Sequence, residues 1–423
     1  MSRVLVLFED RHWRSLRPLT DAVPIPALAY GGSTLAKRWR RAAGLPLLGV
    51  EARSSALALW RARPAQRDAA SLSTRRADDA SQVLIVNAAA IPGEWLAPAL
   101  EEQTPALIIS GNRIAGARLD VAAALPGFGR GERFEEFLSA LEVPRVEVTA
   151  SFITHPWQLV QDNAAAIARD LAAGPFEKRG EIHRLASLES PEAIEVEEGA
   201  RVEAYAVLDA RGGPIRIARN TRVAAHTVVT GPCVVGSGSE LLGGLVARST
   251  IGPECRIAGE VEDCLWQGYA NKRHHGFVGH SVIGEWVNLG ALTTTSDLKN
   301  NYGSVRVWVD GREQDSGLMK VGAFIGAHTK TGIGTLLPTG AAVGVGCNLF
   351  GGGRFAPRHL PPFAWWDGER TTEHRLEAFL ATARQAMARR QRPLTHPEED
   401  ALRVLFQATA SERAAAIPSD TPA

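Results

Sequence analysis

Between Asn271 and His280 the chain reads NKRHHGFVGH, which gathers Lys272, Arg273, His274, His275 and His280 into one short stretch. Side chains of these types suit three chemistries: a metal site, a general base with a cation at its side, or polar decoration of a turn. A neutral imidazole takes up a proton near neutral pH and so suits an amine that must lose one as it attacks an acyl group. Zinc needs several convergent ligands. Adjacent residues in extended chain point to opposite sides, and six residues further His280 belongs to another face, so the three histidines converge poorly within one subunit. No metal is expected here, and His275 and His280 are read as surroundings.

The charge vocabulary marks the same region. The chain uses 41 arginines and six lysines, and four of the lysines (Lys272, Lys299, Lys320, Lys330) fall between residues 272 and 330 together with His328. A compact ammonium in a chain that otherwise uses guanidinium points to places where a point charge matters more than a guanidinium fork. Lys272, Lys299 and Lys330 are the candidates for holding an anion.

The element that must carry these residues is written in sixes. Val196, Val202 and Leu208 are followed by Ile217, Val223, Val229, Val235 and Leu241, then Ile251 and Ile257, Ile283 and Leu289, and finally Ile325, Thr331, Leu337, Val343 and Leu349. A helix repeats near 3.6 residues and a strand at two; a period of six predicts a parallel β-helix whose coils bury a continuous aliphatic ladder. Glycine often follows the inward residue, as at Gly236, Gly284, Gly290 and Gly326, where the corner needs a backbone free of Cβ. The hexads lapse between Val261 and Phe277 and again from Ser296 to Val321, and inserted loops on repeat proteins carry binding surfaces.

Residues 1–180 read as α/β. The runs VLVLF (Val4 to Phe8), VLIV (Val83 to Val86) and ALIIS (Ala106 to Ser110) predict buried strands, and Trp157 to Gly174 predicts a helix ending on glycine. A largely parallel sheet follows, with ligands beyond the carboxyl ends of its strands. After the β-helix (181–355), residues 356–423 hold an amphipathic helix from about Thr372 to Gln391, with Leu376, Phe379, Leu380, Ala383 and Met387 on one face, expected to cap the β-helix.

The segments GHSVIGEWVNLGALTTTSDLKNNYG, VRVWVDG and FIGAHTKTGIGTLLPTGAAVGVGCNLFGGG, together with LFED, LRPLT and HPWQLVQDNAAAI nearer the N-terminus, resemble the GlmU-related sugar nucleotidyltransferase family. The resemblance implies a divergent, Rossmann-like nucleotidyltransferase domain, a left-handed β-helix of acetyltransferase type and a homotrimer with the acyl site between neighbouring β-helices. It places His274 at the acetyl-transfer base, Lys272, Lys299, Asn301 and Tyr302 at the sugar phosphate, and Lys330 and Ala327 at acetyl-CoA. Uridylyl or related transfer at the N-terminal domain would use Mg2+ and UTP or another nucleoside triphosphate, with Asp10, Arg17, Gly31 and Lys37 as the contacts. The Gly-rich loop ending in Thr-Arg-Met is missing, so two other readings stand: nucleotidyl transfer alone, with the β-helix as a trimerising platform, and a sugar-nucleotide binding protein without catalysis.

Composition narrows the partners. The 423 residues are enough for two domains, and 47 basic against 46 acidic residues gives no general reason for nucleic acid or a membrane surface. The opening apolar run meets Glu9 and Asp10 at once, and no spanning-length apolar run follows, so a cytosolic location is expected. Cys233, Cys255, Cys264 and Cys347 form no CxxC pair and are read as small core or turn residues.

Overall fold

The computed structural model describes residues 3–61 and 80–417; the last part of the expected tail, 418–423, lies outside them. The N-terminal sheet contains β1 (Arg3–Phe8), β2 (Leu47–Glu51), β3 (Gln82–Asn87), β4 (Ala106–Ser110), β5 (Arg113–Asp120) and β6 (Arg145–Glu147), in the order β2-β1-β3-β5-β4-β6. Strand β1 runs parallel to β2 and β3, and β6 parallel to β4, while β5 is antiparallel to both of its neighbours. One reversed strand therefore interrupts a sheet that is otherwise parallel. The expected strand runs are β1, β3 and β4. Strand β5 was hidden by Arg113, Gly116 and Arg118, which break its apolar alternation; Gly116 is required because a Cβ there would lie 2.5 Å from the Ile85 carbonyl oxygen. Helices α1 (Leu35–Ala43) and α2 (Ser54–Arg61) precede β3. The helix expected after Trp157 is split into α3 (Pro156–Gln161) and α4 (Asn163–Leu171).

From Glu181 to Trp366 the chain is a parallel β-helix. Along one face, Ile217 pairs with Val235, Val235 with Ile251, Ile251 with Trp266, Trp266 with Ile283, Ile283 with Ile325, and Ile325 with Val343. This is the parallel β-helix expected from the hexads, and its stacking is consistent with the left-handed form that the resemblance implies. All the hexad residues are buried, Leu208, Ile217 and Leu337 completely.

The first expected lapse is not a lapse. Trp266, Lys272 and Val278 stand six apart and all are fully buried, so the hexad continues with a tryptophan and a lysine at inward positions. Lys272 sits in register with Ile257 of the preceding coil. The corner glycines also have a more specific cause than backbone freedom. A Cβ on Gly236, Gly290 or Gly326 would come within 2.6 Å of backbone atoms of the next coil. The left-handed position is three residues after the inward one and often carries a side chain, as at Asn220, Glu254, Trp286 and Leu292.

The second lapse is an insertion. It forms an antiparallel hairpin, Arg306–Val309 with Arg312–Asp315, whose Val305, Val307 and Val309 join the same apolar cluster as Leu5, Leu7, Leu84 and Val86 of the N-terminal sheet. The C-terminal region holds α5 (Leu376–Ala388), α6 (His396–Ala408) and α7 (Ala410–Ala416). The first carries the expected apolar face, with Phe379, Leu380, Ala383 and Met387 buried. The second was unread although its start is signalled: Thr395 and Glu398 form a capping box, each side chain bonding the other's backbone N–H. Both pack against Leu59 of α2 and Val345 and Phe363 of the β-helix in one cluster. All four cysteines are buried and free, and burial pushes the Cys233, Cys255 and Cys347 thiols up to about 12. Among the described residues no helix is long and apolar enough to cross a membrane.

Candidate functional site

His274 is exposed and lines a cavity of about 650 Å³ on the outside of the β-helix. The rest of the wall is strongly basic, with Arg256, Arg273 and Lys330 from the coils and Arg389 and Arg390 from the end of α5. Arg390 donates to the Asn271 side chain at 2.6 Å, which brings the C-terminal helix over the site. Burial first, and Arg256 nearby, pull the Arg390 guanidinium below its ordinary range. Lys330 donates to the Trp286 carbonyl at 2.5 Å, and desolvation pushes its ammonium down to about 8. Arg256 is partly neutralised by Glu240 at 2.7 Å, but among the described residues no acidic side chain lines the cavity. A site with this lining attracts an anion and holds an imidazole at its edge.

The other expected residues fall in several places. Lys272 does not face the cavity: its ammonium is inside the β-helix, donating to the Ala258 carbonyl at 3.0 Å and the His274 carbonyl at 2.8 Å, and desolvation lowers it to about 8. Its position acts on His274 through the backbone, and as placed it contacts no sugar phosphate. Ala327 is buried beneath the C-terminal helices with Phe363 and Phe379. Lys299 donates to the Ser304 carbonyl, Asn301 accepts from the Gly303 N–H, and Tyr302 is 66% exposed, all at the start of the inserted loop and none on the wall of the His274 cavity. His275 lines a different, shallower cavity with His226 and Phe277. His280 is held by Asp297, Nδ1 to Oδ2 at 2.7 Å, with Asp263 at 3.6 Å. The three histidines thus face three different surroundings.

The four nucleotide candidates of the N-terminal domain are also dispersed. Asp10 follows β1 and is buried; its Oδ2 accepts from Arg113 at 2.7 Å and Asn87 at 2.8 Å, and its Oδ1 from the His12 N–H at 3.1 Å. Glu9 beside it is paired with Arg53 at 2.8 Å. The carboxyl ends of the strands, where an α/β sheet binds ligands, are therefore filled by the protein's own ion pairs. A divalent cation would have to displace Arg113 from Asp10, so the residues as arranged do not fit one. Arg17 is clamped between Asp21 and Glu412. Gly31, at φ +63°, bonds Asn163 through its N–H and Thr250 through its carbonyl. Lys37 is exposed on α1, whose first turn is capped by Thr34.

Sequence reasoning missed Arg256, Arg389 and Arg390. The signal was present in the basic end of the C-terminal helix, but which coil that helix would cover depends on tertiary packing.

Comparison with known proteins agrees with the architecture. Residues 5–174 match the family model described as sugar nucleotidyl transferase. A bifunctional sugar-1-phosphate nucleotidylyltransferase/acetyltransferase of Sulfurisphaera tokodaii is 35% identical over 26% of this chain and 26% of its own length. The bifunctional protein GlmU of Methanocaldococcus jannaschii is 28% identical over 29% of this chain and 25% of its own, and that of Methanococcus vannielii 30% identical over 28% and 24%. The chain thus spans about a quarter of the length of the curated relatives it matches. The solved UDP-N-acetylglucosamine acyltransferase from Campylobacter jejuni covers 57% of this chain and 92% of its own at 15% identity and TM-score 0.24; the β-helix rests on the strand pairing above, not on that likeness. The chain thus joins a region that matches the sugar nucleotidyl transferase model to a parallel β-helix of hexapeptide repeats, and about a quarter of it is similar to bifunctional GlmU-type proteins.

Proposed function

We propose that the chain is a sugar-phosphate transferase that moves an acetyl group from acetyl-CoA to the amine of an amino-sugar 1-phosphate at the cavity around His274, with nucleotidyl transfer at the N-terminal domain a separate reading that the family match alone supports. One observation supports the acyl reading: an exposed imidazole, free of hydrogen bonds to other described side chains, stands at the edge of a basic cavity. As the amine nitrogen attacks the thioester carbonyl, His274 takes its proton; the C–N bond forms, the C–S bond breaks, and the imidazolium returns the proton to the departing thiolate. Lys330, Arg273, Arg389 and Arg390 neutralise the phosphates of acceptor and coenzyme. Ile333, on the cavity wall and 72% exposed, suits contact with a neighbouring copy, in keeping with a homotrimer that completes the site between β-helices.

The test is CoA release with glucosamine 1-phosphate. His274→Ala is expected to lose about 10²- to 10⁴-fold in rate, the usual share of a general base. Equal rates in the two proteins would remove His274 from the role. Pyrophosphate release from UTP with N-acetylglucosamine 1-phosphate tests the second activity. A binding protein without nucleotidyl transfer is favoured by the Asp10–Arg113 and Glu9–Arg53 pairs, and predicts silence in that assay.

A further inference from the structure

A second cavity, of about 610 Å³, lies where the N-terminal domain, the inserted hairpin, the β-helix and α7 meet. Its charges are mixed where those of the His274 cavity are basic. Asp21, Asp310 and Glu412 line it with Arg14 and Arg17; the Arg17 Nε donates to Asp21 at 2.5 Å and its two terminal nitrogens to Glu412 at 2.8 Å, and Arg14 lies over the Trp13 ring. Asp21 is 3% exposed, and its Oδ2 has no hydrogen-bond partner among the described residues. A buried carboxylate oxygen left unpartnered is costly unless something donates to it. Burial, its largest influence, raises the Asp21 carboxyl above its ordinary range, as expected of an acceptor short of donors.

The rest of the wall is flat and apolar. Trp308, in the hairpin, stacks on His359 of the β-helix with ring centroids 4.7 Å apart, and Pro18, Leu360 and Pro362 surround them. Burial holds His359 neutral, its imidazole pushed down to about 4, so it brings no positive charge. Three carboxylates against two guanidinium groups, beside an aromatic plate, complement a ring whose edge donates hydrogen bonds and whose face is apolar.

We infer that this cavity is a binding site for an unphosphorylated amino sugar, separate from the His274 cavity and independent of acyl transfer. The ammonium and hydroxyls donate to Asp21 and Glu412, and the ring packs against the Trp308 and His359 plate.

Isothermal titration of the full chain with glucosamine tests it. Saturable binding is expected in wild type, in His274→Ala and in Arg390→Ala, with at least about tenfold weaker binding in Asp21→Asn and in Trp308→Leu, the scale of one hydrogen bond to a charged group or one aromatic contact. Trp308 sits on an inserted hairpin, so Trp308→Leu decides the matter if Asp21→Asn fails to fold by circular dichroism. The inference is overturned by absence of saturation in wild type, by unchanged affinity in the folded Asp21 and Trp308 variants, by loss of binding in Arg390→Ala alone, or by competition from inorganic phosphate.

Discussion

The Lys272 ammonium donates a hydrogen bond to the backbone carbonyl of His274, 2.8 Å away, from inside the β-helix. A second bond, to Ala258 of the preceding coil, fixes it from the other side. The Ala258 bond is buried and the His274 bond partly so, and both carbonyls accept from this one cation. In Lys272→Met the cost of leaving them unsatisfied, about 1–3 kcal/mol, outweighs the relief of removing a buried charge. Chemical denaturation is expected to show that loss, with a slower CoA release because the His274 backbone is no longer held. Unchanged stability would mean that other donors reach these carbonyls.

Lys272 and Lys330 share a titration near pH 8, brought down from 10.5 by desolvation. Their folded values lie below the unfolded one, so the unfolded chain binds more protons between pH 8 and 10.5 and stability rises with pH across that window. Anion binding runs the other way. Lys330 loses its charge as pH rises through about 8, and the affinity of the His274 cavity for inorganic phosphate falls with it. Melting curves and phosphate titrations at pH 7 and 9 are expected to move in opposite directions, and Lys330→Arg, whose guanidinium stays charged, to flatten the phosphate response.

A corner glycine of the β-helix and the glycine in the turn between β4 and β5 carry different costs. Gly284 is packed against the next coil, where a Cβ would lie 2.7 Å from the Ala327 nitrogen and 2.8 Å from the Ile325 carbonyl oxygen. Backbone does not yield as a flexible side chain does, so Gly284→Ala is expected to cost about 1–3 kcal/mol or more. Gly111 has open space around it but sits at φ +59°, so Gly111→Ala meets only backbone strain of about 1–2 kcal/mol. Gly111→Asn, which tolerates that conformation, is expected to recover part of the loss, whereas Gly284→Asn recovers nothing.

Arg113 is the buried partner of Asp10, at 2.7 Å. Arg113→Met leaves a carboxylate behind β1 without a counter-charge and is expected to destabilise by about 3–5 kcal/mol. Adding Asp10→Asn removes the stranded charge, so the double variant should be more stable than Arg113→Met alone in urea melts. A strictly additive pair would show that the two side chains do not interact.

The period of six was legible because aliphatic residues repeat it through most of the β-helix; it vanished where Trp266 and Lys272 took inward positions, since neither residue reads as core. His274 was legible by type and by its place beside the VNLGAL motif, and it does face a cavity. Lys272 was misplaced for the reason that makes it informative: a lysine is read as a surface residue, and only the register of its coil turns it inward. Arg389 and Arg390 were visible as a basic helix end. The Arg390 bond to Asn271 joins residues more than a hundred positions apart, which no local pattern encodes. Asp10 and Glu9 stood where strand ends bind ligands, but their arginine partners come from Arg113 and Arg53, across the sheet.

The shared apolar cluster that unites Leu5, Leu84 and Trp157 with Val282, Val305, Val307 and Phe324 changes how the protein can be taken apart. The nucleotidyl transferase match ends at residue 174, yet Val282, Val305, Val307, Val309, Val321 and Phe324, more than a hundred residues downstream, are buried in the same cluster. A fragment cut at that boundary exposes the residues they cover and is expected to aggregate when expressed alone. A fragment of the β-helix with its hairpin carries the complementary wound. The sequence boundary is one of ancestry and does not coincide with an edge of packing.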